Sequence, residues 1–122
     1  MAVLKFFIAI LLLSLINKGL CACKVNDKIQ ISTVRTGKEV SGKPEWGVKV
    51  INNCNCAQKN IFLRCKGFQS VENVDPSLFL PSADGRCLVK NGEPVAPFDN
   101  VSFNYAGDPF FFLPLSSVDM CS

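Results

Sequence analysis

The chain has 122 residues, with 13 basic and 10 acidic side chains and no histidine. Without an imidazole, a Ser-His-Asp or Cys-His nucleophilic site and a histidine-based zinc site are excluded. Two of the basic residues, Lys5 and Lys18, lie in the first 22 residues, so the rest carries eleven basic against ten acidic residues. This balance gives no support to a nucleic-acid partner, which would require a clear basic excess.

The first 22 residues have the order of a secretory signal peptide. The chain starts with a short segment that ends in a charge at Lys5, residues 6–16 are almost entirely apolar, and residues 17–22 become polar and then small. The apolar segment is too short to span a bilayer, which takes about 20 residues. We therefore expect cleavage after Cys21 or Ala22, secretion, and no membrane span in the mature form.

The mature part, residues 23–122, predicts a series of short strands. Residues 46–50 and 61–65 alternate between apolar and other side chains, which is the period of a half-buried strand. In chain order, we predict strands at residues 27–33, 46–50, 61–65, 87–90, 101–105 and 110–113, with loops at 36–37, 41–44 and 81–85, a loop or edge segment at 93–98, and a hairpin-type turn at 91–92. No mature window has helical spacing over ten positions. The sequence therefore predicts an all-β domain, a small disulfide-braced antiparallel sandwich, with a small barrel as the alternative.

Cleavage would also change the cysteine count from seven to six. An even set in an oxidising compartment is typical of a disulfide framework, and six cysteines make three bridges. These are Cys23, Cys54, Cys56, Cys65, Cys87 and Cys121. Their pairing stays open, although Cys54 and Cys56 are too close to bond each other comfortably. A zinc site made of cysteine is the alternative, but disulfides are favoured in a secreted chain, so we expect no metal and no cofactor.

Several side chains are candidates for recognition. Trp46 could stack on a sugar or anchor an interface, or pack in the core as the first residue of an alternating strand. Phe110, Phe111 and Phe112 would point to both faces of a strand, so at least one is exposed unless both faces are covered. Tyr105 is a further candidate for the same binding surface.

Two further observations bear on modification and catalysis. Asn100-Val101-Ser102 is a pattern for glycosylation of Asn100. The carboxylates are scattered singly, and no glycine-rich phosphate loop is present. We therefore expect a protein that is not an enzyme.

The mature chain resembles the Tapetum Determinant 1-like family of plant secreted proteins. The resemblance rests on the cysteine order and on these runs: Gly42-Lys43-Pro44-Glu45-Trp46-Gly47-Val48, Asn53-Cys54 with Cys56, Ile61-Phe62-Leu63-Arg64-Cys65-Lys66-Gly67-Phe68, Val101-Ser102-Phe103-Asn104-Tyr105-Ala106, and Cys121.

The resemblance implies a secreted ligand of the apoplast. Its expected partner is the ectodomain of a leucine-rich-repeat receptor kinase, in plant cell differentiation of the anther and tapetum type. Which receptor and which tissue do not carry over. The alternative is an extracellular carbohydrate-binding sandwich that recognises cell-wall polysaccharide through its exposed aromatic residues.

Overall fold

The computed structural model describes residues 28–120. The predicted signal peptide, residues 1–22, lies outside this range, and so do Cys23 and Cys121. Seven strands are present in chain order: β1 (Ile29–Val40), β2 (Lys43–Asn52), β3 (Gln58–Arg64), β4 (Phe79–Pro81), β5 (Arg86–Val89), β6 (Asn100–Ala106) and β7 (Leu113–Asp119). Between residues 28 and 120 no helix is long and apolar enough to cross a membrane.

The strands form two antiparallel sheets. One has the order β1-β2-β6 and the other the order β4-β5-β3-β7. β2 and β3 follow each other in the chain but lie in different sheets, because the turn chemistry and the two cysteines at residues 52–56 separate them. The predicted all-β sandwich is therefore confirmed.

The core lies between the sheets and follows the alternation seen in the sequence. Val48 and Val50 of β2, and Ile61 and Leu63 of β3, are buried, whereas Lys49 between the two valines is exposed. One face of each strand is therefore removed from water, at roughly 25 cal/mol for each Å² of apolar surface.

An aromatic cluster fills one end of this core. The rings of Phe79 and Phe103 are stacked with centroids 4.4 Å apart, and Phe112 meets them edge-on at 5.3 and 5.9 Å. Phe68 contacts Phe79 and Phe112 as well. Such offset and edge-on pairs add about 0.5–1.5 kcal/mol each beyond the area they bury.

A disulfide between Cys65 and Cys87 ties the residue after β3 to β5, with a Cα–Cα distance of 6.0 Å. Cys54 and Cys56 are also disulfide-bonded, and both are buried. The number of bridges in the whole chain stays a prediction.

Several boundaries differ from the sequence-based prediction: β4 was not predicted, β2 begins within the predicted loop at 41–44, and β3 begins three residues before the predicted strand. The first strand runs on to Val40 through the predicted loop at Thr36-Gly37, where its register with β2 shifts between Arg35 and Glu39. Gly37, with φ of 89°, absorbs this irregularity, so the strand continues past it.

The last strand is displaced. It begins at Leu113 and runs to Asp119, so residues 110–112, which were predicted as strand, precede it. The backbone N–H of Phe110 is held by the hydroxyl of Tyr105 at 2.9 Å and not by a neighbouring strand. Asn91-Gly92 does turn the chain, but as a short 3₁₀ turn between β5 and β6, which lie in different sheets.

Candidate recognition groove

An apolar groove lies at one side of the sandwich. There β1, an edge strand of the three-stranded sheet, faces residues 109–112, which lead into β7, an edge strand of the four-stranded sheet. The cavity measures about 320 Å³ and is lined by Ile31, Thr33, Trp46, Pro109, Phe110, Phe111 and Phe112. Ile31 and Thr33 project from the same face of β1, because side chains two apart in a strand share a face. The edge strand β1 thus forms one wall and residues 109–112 form the other.

Trp46 of β2 also lines the groove. It is partly buried against the core, and its indole N–H donates a hydrogen bond to the carbonyl of Gly107 at 3.1 Å. The guanidinium carbon of Arg35 lies 5.7 Å from the centre of the Trp46 ring, within the range of a cation–π contact. Trp46 therefore has the packed position that was one of its two sequence-based interpretations, and it also lines the groove.

The segment from Phe110 to Phe112 is fixed at both ends. The Phe110 N–H donates to the Tyr105 hydroxyl, and the ring of Phe112 is buried among the core aromatics. Phe111 lies between these anchors, and 90% of its surface is exposed. An exposed aromatic on a segment that is held at both ends can enter a partner's pocket at a small entropic cost.

The apolar surface continues past the groove. Leu113 and Leu115, at the start of β7, are about half exposed. Of the groove-lining side chains only Thr33 is polar, and no charged residue lines it. This composition suits an apolar side chain of a partner better than a charged ligand.

The structure brings together most of the residues that the sequence singled out for binding. Trp46, Phe110, Phe111 and Phe112 all line the groove, with Phe112 as its buried floor. Tyr105 is the exception, and its prediction as a binding residue was wrong. Its side chain is fully buried on the same inward face as Phe103, so its hydroxyl positions Phe110 and does not contact solvent. This burial also raises the pKa of Tyr105.

Sequence reasoning missed Ile31, Thr33 and Pro109 as lining residues. The alternation of β1 could have placed Ile31 and Thr33 on one face. Their position opposite residues 109–112 follows only from the way the two sheets pack.

Asn100 is the first residue of β6 and is exposed, and its side-chain oxygen accepts a hydrogen bond from the Ser102 hydroxyl at 3.2 Å. Asn100 and Ser102, the first and third residues of the glycosylation pattern, are thus both on the surface. Whether Asn100 carries a sugar stays a prediction.

A second cavity, of about 580 Å³, adjoins the groove and shares Pro109 and Phe110 with it. Its walls are formed by residues 69–71, residues 106–110, Lys43 and Gly67. Lys43 and Asp108 form an ion pair at 3.5 Å across its rim, and both are well exposed, so the pair contributes little to stability.

Two carboxyl groups lie close together beside this cavity. Glu45 is only 5% exposed and accepts a hydrogen bond from the Thr36 hydroxyl at 2.8 Å, and its side chain meets that of Glu72. The Thr36 hydrogen bond lowers the pKa of Glu45, whereas burial raises the pKa of Glu72. No pattern in the sequence indicated this contact, because 27 positions separate the two residues.

Between residues 28 and 120, no group of three or more histidine, cysteine, aspartate or glutamate side chains is arranged to hold a metal ion. The cysteines of this part of the chain are disulfide-bonded. The arrangement is suited to recognition: an apolar groove with one projecting aromatic, carried on a cross-linked scaffold.

Fold and groove together define the class: a small, disulfide-bonded, all-β sandwich with an apolar groove between its two sheet edges. The family profile described as "Tapetum determinant 1, C-terminal" matches residues 25–121. The chain therefore belongs to the Tapetum determinant 1 family of plants, and the resemblance seen in the sequence is confirmed.

Individual relatives agree with this assignment. The chain is 33% identical over 94 residues to "TPD1 protein homolog 1" of Arabidopsis thaliana, covering 75% of this chain and 52% of that protein. It is 37% identical over 79 residues to "TPD1 protein homolog 1B" of Oryza sativa subsp. japonica, covering 64% and 47%. It thus spans about half the length of these TPD1 homologues.

A third relative matches from end to end. An Arabidopsis thaliana protein described as uncharacterized is 36% identical over 127 residues, covering 97% of this chain and 96% of its own length. No solved structure matches the chain.

Proposed function

We propose that this protein is a secreted ligand that acts by being recognised at the cell surface, with the ectodomain of a leucine-rich-repeat receptor kinase as its partner. By the same proposal it acts in plant cell differentiation of the anther and tapetum type, in the apoplast, and without catalysis. Membership of the Tapetum determinant 1 family supports this function.

The observation that carries the proposal is Phe111. Apolar side chains scattered over a surface are ordinary, but Phe111 is nearly fully exposed and stands beside a groove that is itself apolar. Aromatic residues of this kind anchor protein–protein interfaces when a partner's pocket covers them. The half-exposed Leu113 and Leu115 extend the patch toward the size that a specific contact requires.

The fold supports the same function. The hydrogen bond from the Phe110 N–H to the Tyr105 hydroxyl and the buried ring of Phe112 hold one groove wall in place before binding, so little conformational entropy is lost when a partner docks. A leucine-rich-repeat array offers an extended concave surface that can accept a small rigid domain.

The test is a binding screen of the purified, oxidised protein against a panel of leucine-rich-repeat receptor kinase ectodomains, with Phe111→Ala as the diagnostic variant. Removing an interface anchor should weaken binding by at least 2 kcal/mol, about thirtyfold in Kd. Phe98→Ala is the matched control, because Phe98 is also exposed but precedes β6, at the opposite end of β2 from Trp46, roughly 17 Å away.

Two results would contradict the ligand proposal. The first is that the native protein binds no ectodomain of the panel. The second is that both variants lose affinity equally, which would show that general surface apolarity and not Phe111 drives the contact.

A second candidate function is binding of cell-wall polysaccharide, and the aromatic walls of the groove are the observation that favours it. Sugars stack on aromatic rings but also need hydrogen-bonding groups around them, and Thr33 is the one polar side chain of the lining. Sedimentation with insoluble cellulose or xylan, lost on Phe111→Ala or Trp46→Ala and kept on Phe98→Ala, would favour this function over the ligand.

A further inference from the structure

The contact between Glu45 and Glu72 is unusual because two carboxylates repel each other when both are charged. Glu45 is buried in β2, and Glu72 lies in the segment between β3 and β4. The two side chains lie within hydrogen-bonding reach of each other. A carboxyl group can donate a hydrogen bond only when it is protonated, so this contact requires a proton on one of the two.

A second observation also indicates that one of the two carboxyl groups carries a proton. The Oε1 atom of Glu72 is buried and accepts no hydrogen bond from any N–H or O–H group between residues 28 and 120. A buried charged oxygen without a partner is costly. A proton held between the two carboxyl groups removes that cost.

The contact joins a surface segment to the edge of the three-stranded sheet. The N–H of Val71 donates to the carbonyl of Ala106 at 2.9 Å, and the N–H of Ala106 donates to the Ser70 hydroxyl at 3.0 Å. Residues 70–72 therefore lie along the free edge of β6, and Glu72 reaches from there to Glu45 on β2.

The same segment forms a wall of the larger cavity. Gln69, Ser70 and Val71 line it on one side, opposite Lys43 and Asp108. Any movement of residues 69–72 changes the shape of this cavity, which adjoins the groove through Phe110.

We propose that Glu45 and Glu72 form a proton-operated latch. One proton shared between the two carboxyl groups holds residues 69–72 against the three-stranded sheet, and loss of that proton loosens the segment and opens the cavity wall. The latch is a property of the free protein and does not depend on the partner proposed above.

The charged and polar groups around the latch are few. Thr36 and Lys38 act on it from β1: the Thr36 hydroxyl bonds Glu45 and favours its charged form, whereas Lys38 favours the charged form of both carboxyl groups. Glu45 itself comes from β2, while Lys43 and Asp108 bond each other on the far side of the cavity. The proton therefore resides on Glu72.

The direction of the pH dependence follows from the two carboxyl groups. Burial, followed by the contact with Glu45, raises the pKa of Glu72 above its ordinary 4.5, so its contribution to stability is complete below 4.5 and is lost as the pH rises through the raised value. The Thr36 hydrogen bond lowers the pKa of Glu45, so its contribution is lost only as the pH falls below 4.5. The latch is closed between the two pKa values and opens at higher pH.

Amide hydrogen exchange of the native protein tests the latch, with the Val71 amide as reporter and the Val50 amide of the core sheet as internal reference. After correction for the intrinsic pH dependence of exchange, the protection factor of Val71 should fall as the pH rises above 4.5 and through the raised pKa of Glu72. That of Val50 should not change.

Two variants separate the latch from general effects of charge. In Glu72→Gln, the amide donates to Glu45 at every pH, so Val71 should stay protected and lose its pH dependence. In Glu39→Gln, an exposed carboxylate of β1 is neutralised instead, and the native pH dependence should be kept.

The proposal is overturned if the protection of Val71 in the native protein does not change with pH, or if Glu72→Gln keeps the native pH dependence. A titration of the glutamate carboxyl carbons by NMR gives a readout without any variant. It should show Glu72 titrating above 4.5, and titration at or below that value would also overturn the latch.

Discussion

Phe111 and Phe112 are neighbours in the chain and identical in chemistry, but they occupy opposite environments. Phe112 is buried, and its ring meets Phe68, Phe79 and Phe103. Phe111 has 90% of its surface exposed at the mouth of the groove. The core and the recognition surface are therefore separated by a single peptide unit.

This comparison shows how a small domain can present an aromatic without losing its fold. Phe112 anchors the segment on one side, and the Tyr105 hydroxyl holds the Phe110 amide on the other. Phe111 is thus held in an exposed position by its two neighbours, which makes it the side chain most open to contact by a partner. We therefore expect contrasting effects on stability when the two phenylalanines are replaced, and the two substitutions can be compared directly.

The largest expected effect is that of Phe112→Ala. Removing a buried ring that packs against several others leaves a cavity, which costs about 3–5 kcal/mol of the free energy of unfolding. Urea unfolding followed by the fluorescence of Trp46 measures the change. A loss below about 1 kcal/mol would show that Phe112 is not part of the core and would remove the contrast with Phe111.

The second largest effect on stability is expected from loss of the Cys65–Cys87 disulfide, which lies outside the groove lining. Replacing both cysteines, as Cys65→Ser with Cys87→Ser, removes a cross-link over a sequence separation of 22 residues and should lower the free energy of unfolding by about 3 kcal/mol. The double variant is used because a single one would leave a reactive thiol. The readout is again urea unfolding, under conditions that keep the other bridges oxidised.

Neither Cys65 nor Cys87 lines the groove. The double variant should therefore bind a partner with native affinity at temperatures where it is folded. Loss of binding by the fully folded double variant would show that the groove and the four-stranded sheet are not independent.

The sequence predicted much of the core side of this comparison. Strands at residues 46–50, 61–65 and 101–105 were recognised because each buries one face, so that apolar residues recur at every second position. The same pattern places Tyr105 on the face of Phe103, so its burial could have been deduced from the alternation.

The groove was predicted less well, because its geometry depends on contacts between distant parts of the chain. Residues 110–112 look like a strand, but the Tyr105 hydroxyl and the core hold them, and the strand forms at residues 113–119. Likewise, Gly37 looks like the end of a strand, yet pairing with β2 carries β1 through it. Tertiary pairing overrides local preference in both places.

The contact between Glu45 and Glu72 also depends on parts of the chain that are distant in sequence. Each residue by itself resembles an ordinary surface carboxylate, and only the fold places them side by side. No local pattern could have identified it.

The smallest expected effect, and the one that tests the comparison most directly, is that of Phe111→Ala on stability. Because the ring is almost fully exposed, its removal takes away few contacts, and the free energy of unfolding should change by no more than about 0.5 kcal/mol. Phe98→Ala is the control for an exposed phenylalanine away from the groove, and it should behave the same way. If Phe111→Ala instead destabilises the protein as strongly as Phe112→Ala, then Phe111 packs against the chain in solution, and its exposure no longer argues for a partner. If its stability is native while binding to a receptor ectodomain is lost, the ring is kept for recognition, since it then contributes to affinity and not to the fold.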